Sequence, residues 1–242
     1  MAGTGSHRLR YAIELALMLA LVFGAARLAE AGAALAHVDL PVMPLLRRTY
    51  VTFAAILAVL VYLRLRGERL AAIGLVAPKR PWVLVGRGVL LFLVLLVFSS
   101  VVRPLIDPVV AQLTGTSKTL AEQYFAPVRG NLGMLLYLIP FGWLFGGFGE
   151  EIFYRGVVMT RFAQVLGEGR AAWIAALLLQ AIPFAIGHSY QGPVGMVATY
   201  VTAVITGAGT LMWGRNLWPA IIAHGLLDTF GFMALYAGLA HG

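Results

Sequence analysis

Long apolar stretches dominate this sequence and limit the folds that it can adopt. A membrane-spanning helix needs about 20 predominantly apolar residues, and stretches of that length recur along the chain between short polar segments. Hydrophobic residues make up 60% of the chain and charged residues 12%, a balance far from that of a soluble domain. We therefore predict an all-α fold, a polytopic transmembrane helical bundle. The predicted spans lie near residues 11–36, 49–65, 81–102, 132–166, 171–188, 192–213 and 217–239.

The fourth predicted span is longer than one simple crossing requires. It either protrudes into water or breaks near Gly146-Gly147, so we expect seven or eight spans. Residues 103–131 form the longest polar segment, and we predict a surface loop there with an amphipathic piece around Leu120 to Phe125. We divide the chain into N-terminal spans over residues 1–70 and a core over residues 71–242.

The N-terminal stretch has features of a signal sequence, with Ala34-Leu35-Ala36 as a candidate cleavage site. Its apolar part is longer than the roughly 7–15 residues of such a signal, so we expect an uncleaved first span. Most Lys and Arg residues lie in the N-terminus, the 64–87 connector and the 161–170 turn. The positive-inside rule places these segments, and the N-terminus with them, in the cytoplasm.

Composition narrows the classes of function. The chain contains no cysteine, which excludes disulfides, a thiolate nucleophile and a cysteine-ligated metal. Its net charge of +8 comes from basic residues dispersed among apolar spans, so we expect no nucleic-acid partner. A composition rich in Ala, Gly and Arg, without glycosylation sequons, favours a bacterial plasma membrane.

Ionisable side chains inside the predicted spans need a physical reason, because one at the centre of a membrane helix costs about 2.5–3.5 kcal/mol. Arg27 and Glu30 are three residues apart near a span end, so an i,i+3 ion pair explains them. We expect Glu14 near the membrane interface. A further set lies at helical spacings on three separate spans: Glu150, Glu151, Arg155, His188, His224 and Asp228.

The spacing of these six residues on helices predicts which of them lie close together. Glu151 and Arg155 are four residues apart, in the order that favours an ion pair, and Glu150 is rotated about 100° away from Glu151. Counting residues from the 161–171 turn places Glu150 and His188 at one depth, with His224 about one helical turn nearer the surface. We therefore predict a polar catalytic cavity inside the bundle, open toward the cytoplasmic side.

Two hydrolytic mechanisms fit these residues. In the first, Glu150 is the general base for water, His188 assists it, and His224 polarises the scissile carbonyl. In the second, the histidines and a carboxylate hold a zinc ion that activates the water. Gly-x-Ser-Gly, Gly-x-Gly-Asp and His-Glu-x-x-His motifs are absent, which argues against serine, presenilin-like and site-2-like mechanisms.

At these residues the sequence resembles the CPBP family, which comprises CAAX prenyl endopeptidases and the bacteriocin-processing or immunity proteins called Abi proteins. The resemblance covers roughly residues 70–235. The family motif Glu-Glu-x-x-x-Arg matches Glu150, Glu151 and Arg155; Phe-x-x-x-His matches Phe184 and His188; and His-x-x-x-Asn/Asp matches His224 and Asp228.

The resemblance implies an all-helical membrane fold around a catalytic cavity, with Glu150, His188, His224 and Asp228 as the working residues. Family members are described both as glutamate-dependent and as metallo-enzymes, so both mechanisms stay open. Asp228 stands where the eukaryotic prenyl-protein enzymes carry Asn, which argues against a prenylated substrate. We expect Asp228 either to accept a hydrogen bond from His224 and fix its tautomer, or to be protonated.

The predicted function is that of an intramembrane endopeptidase of the CAAX type, which cleaves a peptide bond in a membrane-associated or lipid-proximal protein or peptide. Its expected partners are this substrate and membrane lipid. The glutamate-dependent mechanism requires no cofactor, and the alternative mechanism requires zinc. A non-proteolytic membrane protein that uses the same cavity to bind a peptide, such as an immunity factor, is the alternative function.

Overall fold

The computed structural model describes residues 2–35, 42–116 and 124–239, which form helices and short connections without any strand. Two π-helical segments, Phe98–Val102 and Gly142–Val158, continue α-helices without interruption. The α-helices are α1 (Ala2–Leu35), α2 (Val42–Leu65), α3 (Pro81–Val97), α4 (Arg103–Thr114), α5 (Leu132–Phe141), α6 (Met159–Leu166), α7 (Arg170–Gly187), α8 (Gly192–Met212) and α9 (Trp218–Tyr236). Short 3₁₀ helices lie at Leu70–Ile73, Ala126–Val128 and Ser189–Gln191.

Seven helical stretches within the described residues are long and apolar enough to cross a membrane. The expected all-α, multi-pass membrane protein is confirmed, with seven spans in this part of the chain. The stretches are Gly5–Gly32, Leu45–Leu65, Pro81–Thr114, Leu132–Leu166, Arg170–Gly187, Ser189–Met212 and Trp218–Tyr236.

The fourth span runs through 35 residues from Leu132 to Leu166 and does not break at Gly146-Gly147. At 1.5 Å per residue it is at most roughly 50 Å long, well beyond the hydrocarbon thickness of about 30 Å, so one end projects from the hydrocarbon core. A break would expose backbone groups that the membrane cannot satisfy. The chain keeps these groups hydrogen-bonded by changing from α- to π-helical geometry over Gly142–Val158.

The loop predicted over residues 103–131 is only partly a loop, and the prediction is wrong for its first half. The third span continues through the π-helical segment Phe98–Val102 into α4, which ends at Thr114. Arg103 and Asp107 form an i,i+4 ion pair at 2.9 Å within α4, of a kind that adds about 0.2–0.5 kcal/mol to helix stability. Most of the amphipathic piece expected around Leu120 to Phe125 lies outside the described residues.

One buried cluster joins the first two helices to the rest of the bundle. Val22 of α1 and Val59 of α2 pack in the same cluster as Val157 of the fourth span and Leu217, the residue before α9. The division of the chain at residue 70 stays a prediction. Hydrophobic burial nevertheless connects the two sides of that boundary.

Charged side chains fasten the bundle at the end where α1 begins. The guanidinium of Arg161, which is 1% exposed, forms ion pairs with Glu68 at 2.5 Å and with Glu14 at 3.2 Å. Glu14 also pairs with Arg10 at 3.2 Å, so it is buried among cations rather than placed alone at the interface. These contacts connect α1, the α2–α3 connector and α6.

Glycines allow α9 to pack closely against the π-helical segment Gly142–Val158. A Cβ atom added at Gly147 would lie 3.0 Å from the Ile221 carbonyl oxygen. One added at Gly225 would lie 2.5 Å from the Trp143 ring. Small residues permit this close approach in membrane proteins, where packing holds helices together. The histidine and aspartate of α9 thereby come next to the paired glutamates of the fourth span.

Candidate active site

Glu150 and His188 lie at the same depth, as residue counting predicts. Nε2 of His188 is 3.8 Å from Oε2 of Glu150. Nδ1 of His188 lies 2.8 Å from the Phe184 carbonyl oxygen, which only accepts hydrogen bonds, so Nδ1 is the donor. The other ring nitrogen therefore faces the carboxylate at a distance too long for a direct hydrogen bond, and one water molecule beside the two groups can hydrogen-bond to both.

Glu151 orients the second histidine. Its Oε1 lies 2.7 Å from Nδ1 of His224, and the carboxylate accepts this hydrogen bond. The expectation that Asp228 accepts a hydrogen bond from His224 is wrong, because Oδ1 of Asp228 is 3.7 Å from Nε2 of the ring. The carboxylate of Glu151 fixes the orientation of the His224 ring instead, and Asp228 lies near the other ring nitrogen, Nε2.

A buried arginine supports Glu151. Nη1 of Arg155 is 3.2 Å from Oε1 of Glu151, and both side chains are fully buried, so the predicted i,i+4 ion pair is present. Arg155 also donates to Oγ1 of Thr206 from Nε at 3.0 Å and from Nη2 at 2.6 Å. Its guanidinium lies 4.2 Å from the centroid of the Phe184 ring. A carboxylate, a hydroxyl and an aromatic face thus compensate the buried charge.

The ring of Phe184 connects the two histidines. Its centroid is 4.5 Å from that of His188 and 6.4 Å from that of His224. Because Glu150 and Glu151 are neighbours in sequence, each histidine has its own carboxylate and both rings lie against one phenylalanine. The three motifs therefore meet at a single site formed by the fourth span, α7 and α9.

Space for the polar groups depends on glycine in the fourth span. A Cβ atom at Gly146 would lie 2.5 Å from Oδ2 of Asp228 and 3.3 Å from Nε2 of His224. A Cβ atom at Gly142 would lie 3.0 Å from the same carboxylate oxygen. Because glycine has no side chain, the space next to Asp228 and His224 stays open.

A cavity of about 80 Å³ adjoins Glu150 and His188. It has room for water molecules and is much smaller than the roughly 300–1,000 Å³ of a pocket that encloses a ligand. Helices α1 and α2 form much of its wall. The lining includes Val22, Phe23, Ala26, Leu45, Arg48, Thr49, Thr52, Phe53 and Ile56.

The cavity lies in the half of the bundle farther from the N-terminus. Its wall contains Ala26 from the second half of α1, Leu45 from the start of α2 and Gly187 from the end of α7. If the N-terminus is cytoplasmic, as expected, the cavity lies nearer the opposite side of the membrane. The expectation of a cytoplasmic N-terminus and the expectation of access from the cytoplasm therefore disagree. Counting residues along the helices predicts the relative depth of the histidines, but it does not predict that α1 and α2 form part of the cavity wall.

The described part of the chain contains no group of three or more His, Asp or Glu side chains arranged to hold a metal ion. Each histidine directs Nδ1 to a carbonyl or carboxylate of its own, which leaves Nε2 of both rings free, and histidines that ligate a metal are held in the same way. The zinc alternative stays a prediction, and the proposed mechanism uses protein groups.

Several residues of the site were not predicted from sequence. Thr206 on α8 looks like an ordinary small polar residue of a membrane helix, and nothing in its surroundings marks it as a partner of Arg155. Arg48 lies just before the predicted second span and resembles a loop cation. Tyr154 and Tyr190 line the cavity as well, and as aromatic residues in apolar stretches they are indistinguishable from core residues.

The fold and the site define a multi-pass membrane protein with a buried carboxylate–imidazole centre. Residues 132–230 match the sequence model of the family described as type II CAAX prenyl endopeptidase Rce1-like. This match confirms the resemblance carried by the three motifs, all of which lie within it, whereas α1–α4 lie outside. No curated protein and no solved structure matches the chain significantly.

Proposed function

We propose that the protein is an intramembrane endopeptidase that hydrolyses a peptide bond in a membrane-associated or lipid-proximal protein or peptide. The observation that carries the proposal is the 3.8 Å gap between Oε2 of Glu150 and Nε2 of His188 beside a membrane-embedded cavity. A carboxylate and an imidazole at this distance can both accept hydrogen bonds from one water molecule that lies beside them. The family match of the surrounding segment supports the same class of activity.

Glu150 is the general base in this mechanism. Its carboxylate takes a proton from a water molecule that His188 holds through Nε2, and the water oxygen bonds to the scissile carbonyl carbon. The carbonyl π electrons move to the oxygen, which forms a tetrahedral oxyanion. When the intermediate collapses, the C–N bond breaks and Glu150 returns the proton to the leaving nitrogen. The carboxylate is then ready for another turnover.

His224 stabilises the oxyanion. Glu151 accepts the hydrogen bond from Nδ1 at 2.7 Å, which fixes the ring and favours its protonated form. Nε2 then donates to the developing negative charge. An ionised Asp228 next to this nitrogen would repel the oxyanion, so the proposed mechanism requires the protonated form of Asp228, in which its hydroxyl is a second donor.

The cavity holds the attacking water rather than the substrate, because about 80 Å³ is too small for a peptide. In the proposed mechanism the substrate carbonyl approaches from the side of His224, where Nε2 of the ring and Asp228 lie 3.7 Å apart. This arrangement separates a water chamber from the surface where the peptide binds. Limiting water to one direction of attack favours a defined geometry at the reacting carbon.

The test is turnover by the purified protein in lipid nanodiscs, with a library of quenched peptides attached to lipid or free in solution. The proposal expects cleavage at defined bonds and loss of cleavage in Glu150→Gln. Peptide binding without cleavage would instead favour the immunity-type alternative. We propose that no metal is required, and metal analysis of the active protein tests this directly.

A further inference from the structure

A side chain of α2 caps the end of α7. The last carbonyl groups of an α-helix have no partner inside the helix. Nη2 of Arg48 donates to the carbonyl oxygen of Gly187, the last residue of α7, at 2.5 Å. The next residue is His188, whose Nδ1 bonds the Phe184 carbonyl at 2.8 Å. Two terminal carbonyls of α7 are therefore occupied, one by Arg48 and one by the histidine itself.

Arg48 is held in place by further contacts. Its Nε is 3.0 Å from Oε1 of Glu30 on α1. Its guanidinium lies 5.5 Å from the centroid of the Tyr190 ring, and that ring lies 5.9 Å from the ring of His188. The side chain is only 13% exposed. Arg48 thus contacts Gly187, the residue before His188, by a hydrogen bond and Tyr190, two residues after His188, through its ring.

A cation suits this position for two physical reasons. The C-terminal end of a helix carries partial negative charge from its unpaired carbonyls, which favours a positive side chain there. The planar guanidinium also presents several donors in a fixed fork, so it can bond Gly187 and Glu30 at once. The same side chain lines the cavity that contains Glu150 and His188.

We propose that Arg48 is a positioning residue for His188. By holding Gly187 and the ring of Tyr190, the guanidinium keeps Nε2 of His188 directed at Glu150. The inference rests on the proposed function, in which His188 holds the attacking water. Helices α1 and α2 lie outside the family match over residues 132–230. Through Glu30 and Arg48, the inference gives these two helices a defined part in the reaction.

A double-mutant cycle distinguishes positioning from a general structural effect. Arg48→Met keeps much of the apolar stem and removes the charge and the hydrogen bonds. We expect kcat to fall at least about tenfold with KM changed less than about twofold, a loss of roughly 1.4 kcal/mol in the chemical step. In a His188→Ala background the same change should alter residual kcat less than about twofold, because no ring remains to be positioned.

Arg47→Met is the matched control. Arg47 is the neighbouring residue on α2; it is exposed, and it has no ion-pair or hydrogen-bond partner among the residues that the structure describes. This variant should retain the activity of the unmodified protein. An equal loss from Arg48→Met with and without His188 would overturn the proposal, as would an unchanged kcat.

A spectroscopic measurement separates this inference from the proposed function. The ring of His188 is observed by ¹⁵N NMR in histidine-labelled protein and assigned with His188→Gln. Arg48→Lys, which keeps a cation but not the fork, should shift this resonance, and Arg47→Met should not. Unchanged turnover in Glu150→Gln would overturn the proposed function alone. An unchanged His188 resonance in both Arg48→Met and Arg48→Lys would overturn the role of Arg48, whatever the activity.

Discussion

Oε1 of Glu151 accepts a hydrogen bond from Nδ1 of His224 at 2.7 Å and lies 3.2 Å from Nη1 of Arg155. One buried oxygen therefore joins a cation of its own helix to a histidine of α9. The two adjacent glutamates have different tasks because they point in different directions. Glu150 is directed at the cavity and at His188, whereas Glu151 is fully buried and determines how the imidazole of His224 is oriented.

Removing Arg155, the ion-pair partner of Glu151, should lower both the stability of the fold and the activity. Arg155→Ala leaves the carboxylate of Glu151 buried with a lost ion pair, a change that typically costs about 3–5 kcal/mol. We expect a lower yield, a lower unfolding temperature in detergent and reduced turnover. Arg103→Ala is the control, because its ion pair with Asp107 is partly exposed and should contribute less than about 1 kcal/mol. Equal stability of the two variants would contradict the assignment.

Glu150→Gln should abolish turnover with little change in folding. The carboxamide has the shape of the carboxylate, but it does not take a proton from water at neutral pH. Turnover, yield and unfolding temperature are measured side by side with Glu168→Gln, the same substitution at an exposed position. Near-normal turnover in Glu150→Gln would remove this residue from the chemistry.

Gly146→Ala should lower activity more than stability. The added methyl group would meet Oδ2 of Asp228, the mobile end of a side chain, which can move away without displacing the backbone. The site would then lose its arrangement around His224, and we expect at least about a tenfold fall in kcat, or ~1.4 kcal/mol. Gly231→Ala is the control, because a Cβ atom there meets nothing within 4 Å. Full activity in Gly146→Ala would show that this space is not needed.

Asp228→Asn should keep activity within about tenfold of the unmodified protein, or ~1.4 kcal/mol of barrier. A protonated carboxyl and a carboxamide both donate a hydrogen bond, so either can face the oxyanion. Turnover and bound metal are measured on the same preparation. If the variant loses stoichiometric zinc and regains activity only with added zinc, the metal-free mechanism is wrong.

Access to the cavity can be measured because the chain contains no cysteine. Leu45 lines the cavity, and Glu168 is exposed in the turn between α6 and α7. With a cytoplasmic N-terminus, a membrane-impermeant thiol reagent outside intact cells should label Leu45→Cys and leave Glu168→Cys unlabelled. The reverse pattern would show that the N-terminus faces outward. Labelling of both from one side would contradict their placement at opposite ends.

Hydropathy and helical rise predict the spans and the common depth of Glu150 and His188, because both depend only on distance along the chain. The rotation of α9 about its axis depends on glycines that let it approach Trp143 and Gly147, so the bond between Glu151 and His224 could not be predicted from spacing. Arg48 was missed for a related reason. A cation near the end of a span normally extends toward water, and its burial follows from the packing of α1 and α7 around it.

The π-helical geometry of Gly142–Val158 has a consequence for how this segment tolerates change in length. An insertion or deletion in a loop need not change the direction of the side chains that follow it. In a continuous helix it does, because each residue turns the chain by a fixed angle. Deleting one residue between Gly142 and Gly149 would rotate Glu150 and Glu151 relative to α5 by the turn of one residue, which is smaller in a π-helix than the roughly 100° of an α-helix, if the helix stays continuous. The glutamates would then face lipid or another helix. The number of residues between α5 and the glutamates therefore determines the direction in which the glutamates point.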